Sequence, residues 1–342
     1  MDRTRDRMIE RVRVLLEHAG FYLTDTHNIR PTSFDLMARR DSLLLLIKVL
    51  KNVDALDADE SARLTTLGTL FPARPIVIGE TSGAAPLEAG VVYNRYGVPV
   101  IAEESLRDYL EEGLPPFLLS SPGGVFARID GDRLRRLREA RQLSLGAVAS
   151  VAGVSRRTIQ LYETGAGAEV TIVERIEKYL GEPIVRSIDL FDEARRSPPP
   201  ADPEPEPTEA ESKSPRNVRA RREKAPASTG DPVRDGVFRS LDGMGWDVVV
   251  TIRCPFDALT RGTRRSVDEL LLTGVGHLRN AAHRAEILQR LARVAEAHAL
   301  FVVRESPGKT SVEGLPIVTV HELELHRDPK ELLDLLAERE NA

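Results

Sequence analysis

The chain has 342 residues, 41% of them hydrophobic and 30% charged, with a formal net charge of -5. That length holds two or three domains with cores of their own, and the balance is that of a globular protein rather than a disordered or fibrous one. A net negative chain is not a nucleic-acid coat, the single cysteine, Cys254, excludes a disulfide framework or a cysteine zinc site within the chain, and the longest apolar run, Leu43 to Ile47, is far below a membrane span.

Met1 to Arg13 is charged throughout and has no signal-peptide core, so a cytoplasmic protein without a membrane partner is expected. Arg7 to His18 is amphipathic through Met8, Val12, Leu15 and Leu16, which predicts a helix. Phe21 to Thr24, Phe34 to Ala38 and Leu43 to Leu50 read as strands. Asp59 to Phe71 reads as a helix, Pro75 to Gly79 and Val98 to Ile101 as buried strands, and Ser105 to Leu110 as a short closing helix. This order makes residues 1–120 an α/β sandwich around a central sheet. Ser121-Pro122-Gly123-Gly124 reads as a flexible connection to the next domain.

Residues 126–192 form a second kind of domain, all-α. Ser144-Leu145-Gly146-Ala147-Val148-Ala149-Ser150-Val151-Ala152 and Ser155-Arg156-Arg157-Thr158-Ile159-Gln160-Leu161-Tyr162-Glu163 read as two short helices joined by a tight turn at Gly153. Such a pair places its second helix in the major groove of DNA. Ala149 and Gly153 let the helices approach, Ser155 can cap the second helix, and Val148, Val151, Val154, Ile159 and Tyr162 are expected on the inner faces. Arg156 and Arg157 lie in the first turn, where a guanidinium can donate two bonds to guanine, worth about 1–3 kcal/mol of discrimination. Gln160 can reach adenine or phosphate and Leu161 a thymine methyl, while Thr158 and Ser155 suit phosphate. Arg133, Arg135, Arg136, Arg138, Arg141, Arg156 and Arg157 make the expected local positive patch on an acidic body.

Residues 193–232 change character. Pro198 to Pro207 is acidic and proline-rich, and Arg216 to Lys224 is basic, with Arg219-Ala220-Arg221-Arg222 as a piece that touches phosphate or merely solvates a linker. Too little apolar surface is present to offset ordering entropy, so a disordered tether is expected. Residues 233–340 then repeat the order of the first domain. Arg234 to Met244 is the helix, Trp246 to Ile252 the first strand, and Phe256-Asp257-Ala258 parallels Phe34-Asp35-Leu36. Glu269 to Gly274, Arg284 to His298, Ala299 to Arg304, Leu315 to Val320 and Asp328 to Leu336 parallel the later elements. The expected architecture is therefore α/β plus all-α, two copies of one α/β domain flanking a helix-turn-helix domain.

The helix-turn-helix block resembles the Cro/C1-type family over its whole length of five short helices. Leu134, Leu137 and Arg138 fit that family's first helix, and Ile172, Ile176 and Leu180 its fourth. The resemblance implies a structural ion pair between Arg138 and Glu163. Leu145 departs from the pattern, standing where the family usually has a phosphate-gripping glutamine. The whole chain resembles an archaeal family of helix-turn-helix transcriptional regulators, through Phe34-Asp35-Leu36-Met37-Ala38, Leu46 to Asp54 and the reader itself. The first domain is also similar to the core of nucleases with a P-D-(D/E)-x-K motif, which hold Mg²⁺ between two carboxylates beside a lysine. Asp35, Lys48 and a helix acid, Glu10 or Glu17, would supply those parts. Leu46 stands where the second carboxylate belongs, and the region of Thr273 lacks the lysine in the second copy. The flanking domains are therefore nuclease-like scaffolds without nuclease chemistry, with Asp35 and Lys48 read as a pair at a sheet edge that orients a loop or meets phosphate.

The expected function is a sequence-specific regulator of transcription that binds double-stranded DNA as a homodimer, with no catalytic residues, metal or cofactor. A Mg²⁺-dependent structure-specific nuclease or repair factor, and a DNA-tethered adaptor, are the alternatives. The histidines are scattered, His277 and His283 being too far apart for one helical turn, and no nucleophile constellation or glycine-rich phosphate cradle is present.

Overall fold

Apolar residues at helical spacing alternate with short apolar runs along the chain, and in the computed structural model these become helices and strands in turn. The structure describes residues 3–25, 32–121, 124–193, 228–262, 269–305 and 308–340. The first module runs α1 (Arg3–His18), β1 (Tyr22–Asp25), β2 (Leu36–Arg40), β3 (Leu43–Asn52), α2 (Ala58–Leu70), β4 (Arg74–Ser82), β5 (Ala85–Pro86), β6 (Val91–Arg95), β7 (Val98–Ala102) and α3 (Glu103–Glu111). The reader comes next as β8 (Leu118–Ser121), β9 (Gly124–Arg128), α4 (Gly131–Ala140), α5 (Leu145–Ala152), α6 (Arg156–Glu163), β10 (Gly167–Glu169), α7 (Val170–Leu180) and α8 (Leu190–Glu193). The last module has α9 (Pro232–Met244), β11 (Trp246–Val250), β12 (Ala258–Gly262), β13 (Leu270–Gly276), α10 (Leu278–Ala295), β14 (His298–Val303), β15 (Ser311–Val312), β16 (Leu315–Thr319), α11 (Val320–Leu325) and α12 (Pro329–Glu340).

The chain divides into two units. One holds Met1–Ala19, Lys48–Ala62 and Arg74–Pro198, the other Gly20–Ile47, Arg63–Ala73 and Pro199–Ala342. In the first unit the sheet order is the second half of β3, then β4, β7, β6, β8, β9 and β10. β4 and β7 are parallel, with Val77 opposite Val100, and β6 pairs parallel with β8 through Val91 and Leu118. β8 and β9 are antiparallel and Ser121 faces Gly124. This corrects the expected flexible connection. Ser121 and Gly124 are the facing ends of two paired strands, because Leu118-Leu119 and Val125-Phe126 extend a ladder. Pro122 and Gly123 themselves lie outside the described residues.

Within the second unit, β1, β2 and the first half of β3 form an antiparallel meander, with Leu36 opposite Ile47 and Arg39 opposite Leu44. Its other sheet has the order β11-β12-β13-β14-β16-β15, with β13, β14 and β16 parallel and the remaining pairs antiparallel. Phe238, Leu241, Trp246, Leu271, Leu300, Val318 and Leu336 meet in one core beneath α9 and α12. Burying such side chains is worth about 1.5–3 kcal/mol each.

The proline-rich tether and Arg219–Arg222 lie outside the described residues. Pro232, expected as the last residue of that tether, instead opens α9, where its missing N–H costs nothing and Asp231 caps the helix through Val233 N. Among the described residues no helix is long and apolar enough to cross a membrane.

Candidate nucleic-acid interface

The reader core joins Leu134 of α4, Val148, Ala149 and Ala152 of α5, Ile159 and Tyr162 of α6, and Val173, Ile176 and Leu180 of α7. Ser144 caps α5 by accepting from Ala147 N at 3.1 Å. The turn after α5 needs φ of +72° at Gly153, a left-handed conformation that side chains resist. Arg175 donates to Ala152 O at 2.9 Å, placing a cation at the negative end of α5. Ser155 caps α6, accepting from Thr158 N at 3.1 Å, and its hydroxyl lies 2.8 Å from the Thr158 hydroxyl.

α6 buries one face and exposes the other. Ile159, Tyr162 and Glu163 are inside, whereas Ser155, Arg156, Arg157, Gln160 and Leu161 are exposed and Thr158 is half-buried. Leu161 is 52% exposed, a large apolar side chain left in water. Val151, expected on an inner face, is 37% exposed, since the inner positions of α5 fall on Val148, Ala149 and Ala152.

Arg156 differs from Arg157 in its surroundings. A Cβ placed on Gly146 would stand 2.9 Å from Arg156 Nε, so the guanidinium lies across the first turn of α5, close over Gly146. The expected positive patch is also smaller than the arginine count implies. Arg138 donates to both Glu163 oxygens, at 2.5 and 3.2 Å, and Arg135 reaches Glu163 O at 3.2 Å. Arg133 and Arg141 lie 3.2 and 3.8 Å from Glu182. Among the described residues Arg136, Arg156 and Arg157 are the members of that patch with no carboxylate partner. The hydrogen bonds to Glu163 raise the pKa of Arg138, which keeps the guanidinium charged.

In the α/β modules Asp35 is 1% and Lys48 5% exposed, so neither is the edge residue that the sequence led us to expect. β2 has strands on both sides, which removes the edge. Asp35 N donates to Ile47 O at 2.8 Å. Lys48 Nζ lies 2.7 Å from Glu60 Oε1 on α2. Glu10 and Glu17, the acids considered for that role, face water on α1 and pair with Arg13. Sequence reasoning missed Glu60. The available signal is an acid in the first turn of the helix after the lysine strand. In the last module Asp257 N donates to Thr273 O at 2.8 Å, and the Asp257 carboxylate accepts from Val275 N and Arg284 at 2.7 Å, with Arg234 at 3.3 Å. A Cβ at Gly274 would meet the Phe301 ring at 2.6 Å, so no side chain fits the position right after Thr273. Burial pushes the Cys254 thiol up to about 12, which leaves it protonated and unreactive.

Residues 5–116 match the PD-(D/E)XK superfamily domain and residues 131–185 match a helix-turn-helix domain. Along its whole length the chain is 36% identical to a "Putative HTH-type transcriptional regulatory protein" of Methanocella arvoryzae, covering 98% of this chain and 97% of the relative. A protein of the same description in Halobacterium salinarum is 37% identical, covering 98% of each chain, and one in Halorubrum lacusprofundi is 35% identical, covering 99% and 98%. The chain belongs to this archaeal family of HTH-type regulatory proteins. No solved structure matches it.

Nucleases of the superfamily matched by the first module of this family member hold a divalent cation, and the residues present do not fit one. The position for the second acid is Leu46, fully buried, and the Glu60 carboxylate is taken by the Lys48 ammonium. Mg²⁺ needs a near-octahedral oxygen shell with a strong anionic anchor. Among the described residues no group of three or more His, Cys, Asp or Glu side chains comes together as a metal site.

Proposed function

We propose that the chain is a sequence-specific, DNA-binding regulator of transcription whose reader is of the Cro/C1 type, working in the cytoplasm as a homodimer. One observation carries this reading. α6 keeps Ile159, Tyr162 and Glu163 inside while leaving Arg157, Gln160 and Leu161, a guanidinium, an amide and an apolar side chain, unengaged on one exposed face. Those are the chemistries that read guanine, adenine and the thymine methyl in the major groove. Arg157, Gln160 and Leu161 therefore act as the base readers. Arg156, lying across α5, and Ser155 and Thr158 at the cap contact phosphate, and Arg156 takes the place that Leu145 cannot fill. A single helix covers too few base pairs to be selective in a genome, so two readers act together on a two-fold operator.

The α/β modules, in this reading, are diverged copies of one nuclease-like domain, and neither is an enzyme. Support comes from the shared element order, from the same backbone bond at Asp35 and Asp257, and from the loss of acid or lysine at the positions a nuclease needs. Equilibrium binding at fixed salt tests the function. The purified chain should prefer its selected duplex over a scrambled one by about 10³-fold or more. Equal affinity for both would refute sequence-specific reading.

A further inference from the structure

The second unit contains β1, β2, the first half of β3 and the end of α2 together with the last module, and equivalent positions meet each other there. The ladders fix the equivalence. Leu36 faces Ile47 as Ala258 faces Thr273, so Asp35 corresponds to Asp257 and, four residues on, Arg39 to Arg261. α2 ends at Leu70 before Phe71, and α10 ends at Ala295 before Glu296.

Arg39 donates to Val294 O at 2.6 Å and Ala295 O at 3.1 Å, closing the C-terminal end of α10, and pairs with Glu296 at 2.9 Å. Its counterpart Arg261 lines one cavity of about 390 Å³ together with Arg39, with Phe71 and Pro72 from the end of α2, and with Ala295 and Glu296 from the end of α10. Arg39 thus bonds the helix end of the last module, and Arg261 lines the cavity that the end of α2 also lines. Phe71 packs edge-on against Phe256, centroids 5.8 Å apart. The loops before β2 and β12 touch one another directly, as axial segments do, with Ser33 N donating to Arg253 O at 2.7 Å and Ser33 Oγ to Ile252 O at 3.1 Å.

Equivalent positions gathered around one cavity, with the loops before β2 and β12 in contact beside them, are the arrangement of an isologous interface. We infer that the β1–β2 hairpin and the end of α2 form, with the last module of the same chain, an internal homodimer-like pair about a local pseudo-dyad, held by their own surfaces. Its consequence concerns assembly. The surface carried by that hairpin and helix end is covered by the last module of the same chain. Two readers are then brought together through surfaces other than this one.

The test uses the full chain with a specific protease site inserted between Pro199 and Pro207, cleaved after purification and then sedimented at falling concentration. The cut halves are expected to travel together at the same mass as the uncut protein at each concentration. Arg39→Glu should raise their dissociation constant at least tenfold, and adding Glu296→Arg should restore part of it. Separation of the unmutated halves at micromolar concentration would overturn the inference, as would association unchanged by Arg39→Glu combined with Phe71→Ala. Duplex binding by the half that carries the reader is scored separately, so a failure of pairing and a failure of DNA recognition give different results.

Discussion

Glu163, the last residue of the recognition helix, holds Arg138 of α4 through two hydrogen bonds, 2.5 and 3.2 Å long. The Glu163 side chain is 7% exposed and that of Arg138 14%. Breaking a buried pair from one side leaves an uncompensated charge, at about 3–5 kcal/mol. Glu163→Ala should fall at the low end, because Arg138 also reaches Glu139 at 3.3 Å. The one tryptophan, Trp246, is buried in the last module and reports that module alone. Denaturation should therefore show the tyrosine signal of the reader shifted and the Trp246 transition unmoved.

Arg156 and Arg157 are neighbours in sequence but face different surroundings, and their alanine variants should separate in kind. Arg157→Ala should cost about 1–3 kcal/mol on the preferred duplex and relax specificity at one base pair. Arg156→Ala should weaken all duplexes alike and lower the salt slope by about one. Neither should move the unfolding midpoint. Titrations at several salt concentrations decide the assignment, and equal effects of both variants on specificity would reverse it.

Legibility in the sequence depended on range. The cap at Ser155, the turn at Gly153 and the inside-outside pattern of α6 are local, set by residues within two turns of each other, and short spacing in the sequence reports them. Val151 escapes such reasoning because α5 is apolar on nearly every side, so periodicity cannot say which face turns inward. Partners distant in sequence leave little trace. Glu182 neutralising Arg133 and Arg141, and Glu60 paired with Lys48, arise from how elements stack rather than from any spacing. The β8–β9 pair is hidden because its strands are short and end on Ser120, Ser121 and Gly124, residues that read as a loose connection.

Lys48 and Glu60 give a second stability prediction. Lys48→Met should destabilise the first module by about 3 kcal/mol, since it strands a mostly buried carboxylate. Lys48→Met with Glu60→Leu should recover most of that loss, because an apolar pair of similar volume replaces a buried ion pair at little cost. With Mg²⁺ present, the unmodified chain should leave duplex and branched DNA uncut. Cleavage that Asp35→Ala abolishes would contradict the non-enzymatic reading.

The pH dependence of the last module should centre on Glu322. Hydrogen bonding from Arg339, and then from Thr319 at the start of α11, holds its carboxyl down at about 2 against an ordinary value of 4.5. A depressed folded-state pKa contributes stability above the unfolded value, and that contribution disappears as pH falls from about 4.5 towards 2. Glu322→Gln should flatten the loss of stability across this window, read from Trp246 fluorescence in denaturant at each pH. An unchanged acid profile would show that the capping box and Arg339 do not govern it.

Selection of bound sequences from a pool of random duplexes, run in parallel with the unmodified chain and with Arg157→Ala plus Gln160→Ala, tests the central claim most directly. The unmodified chain should enrich one two-fold motif, and the double variant should lose preference at the bases those side chains read while keeping residual affinity for DNA. No enriched motif for the unmodified chain, or the same motif for both, would show that the exposed face of α6 does not read sequence.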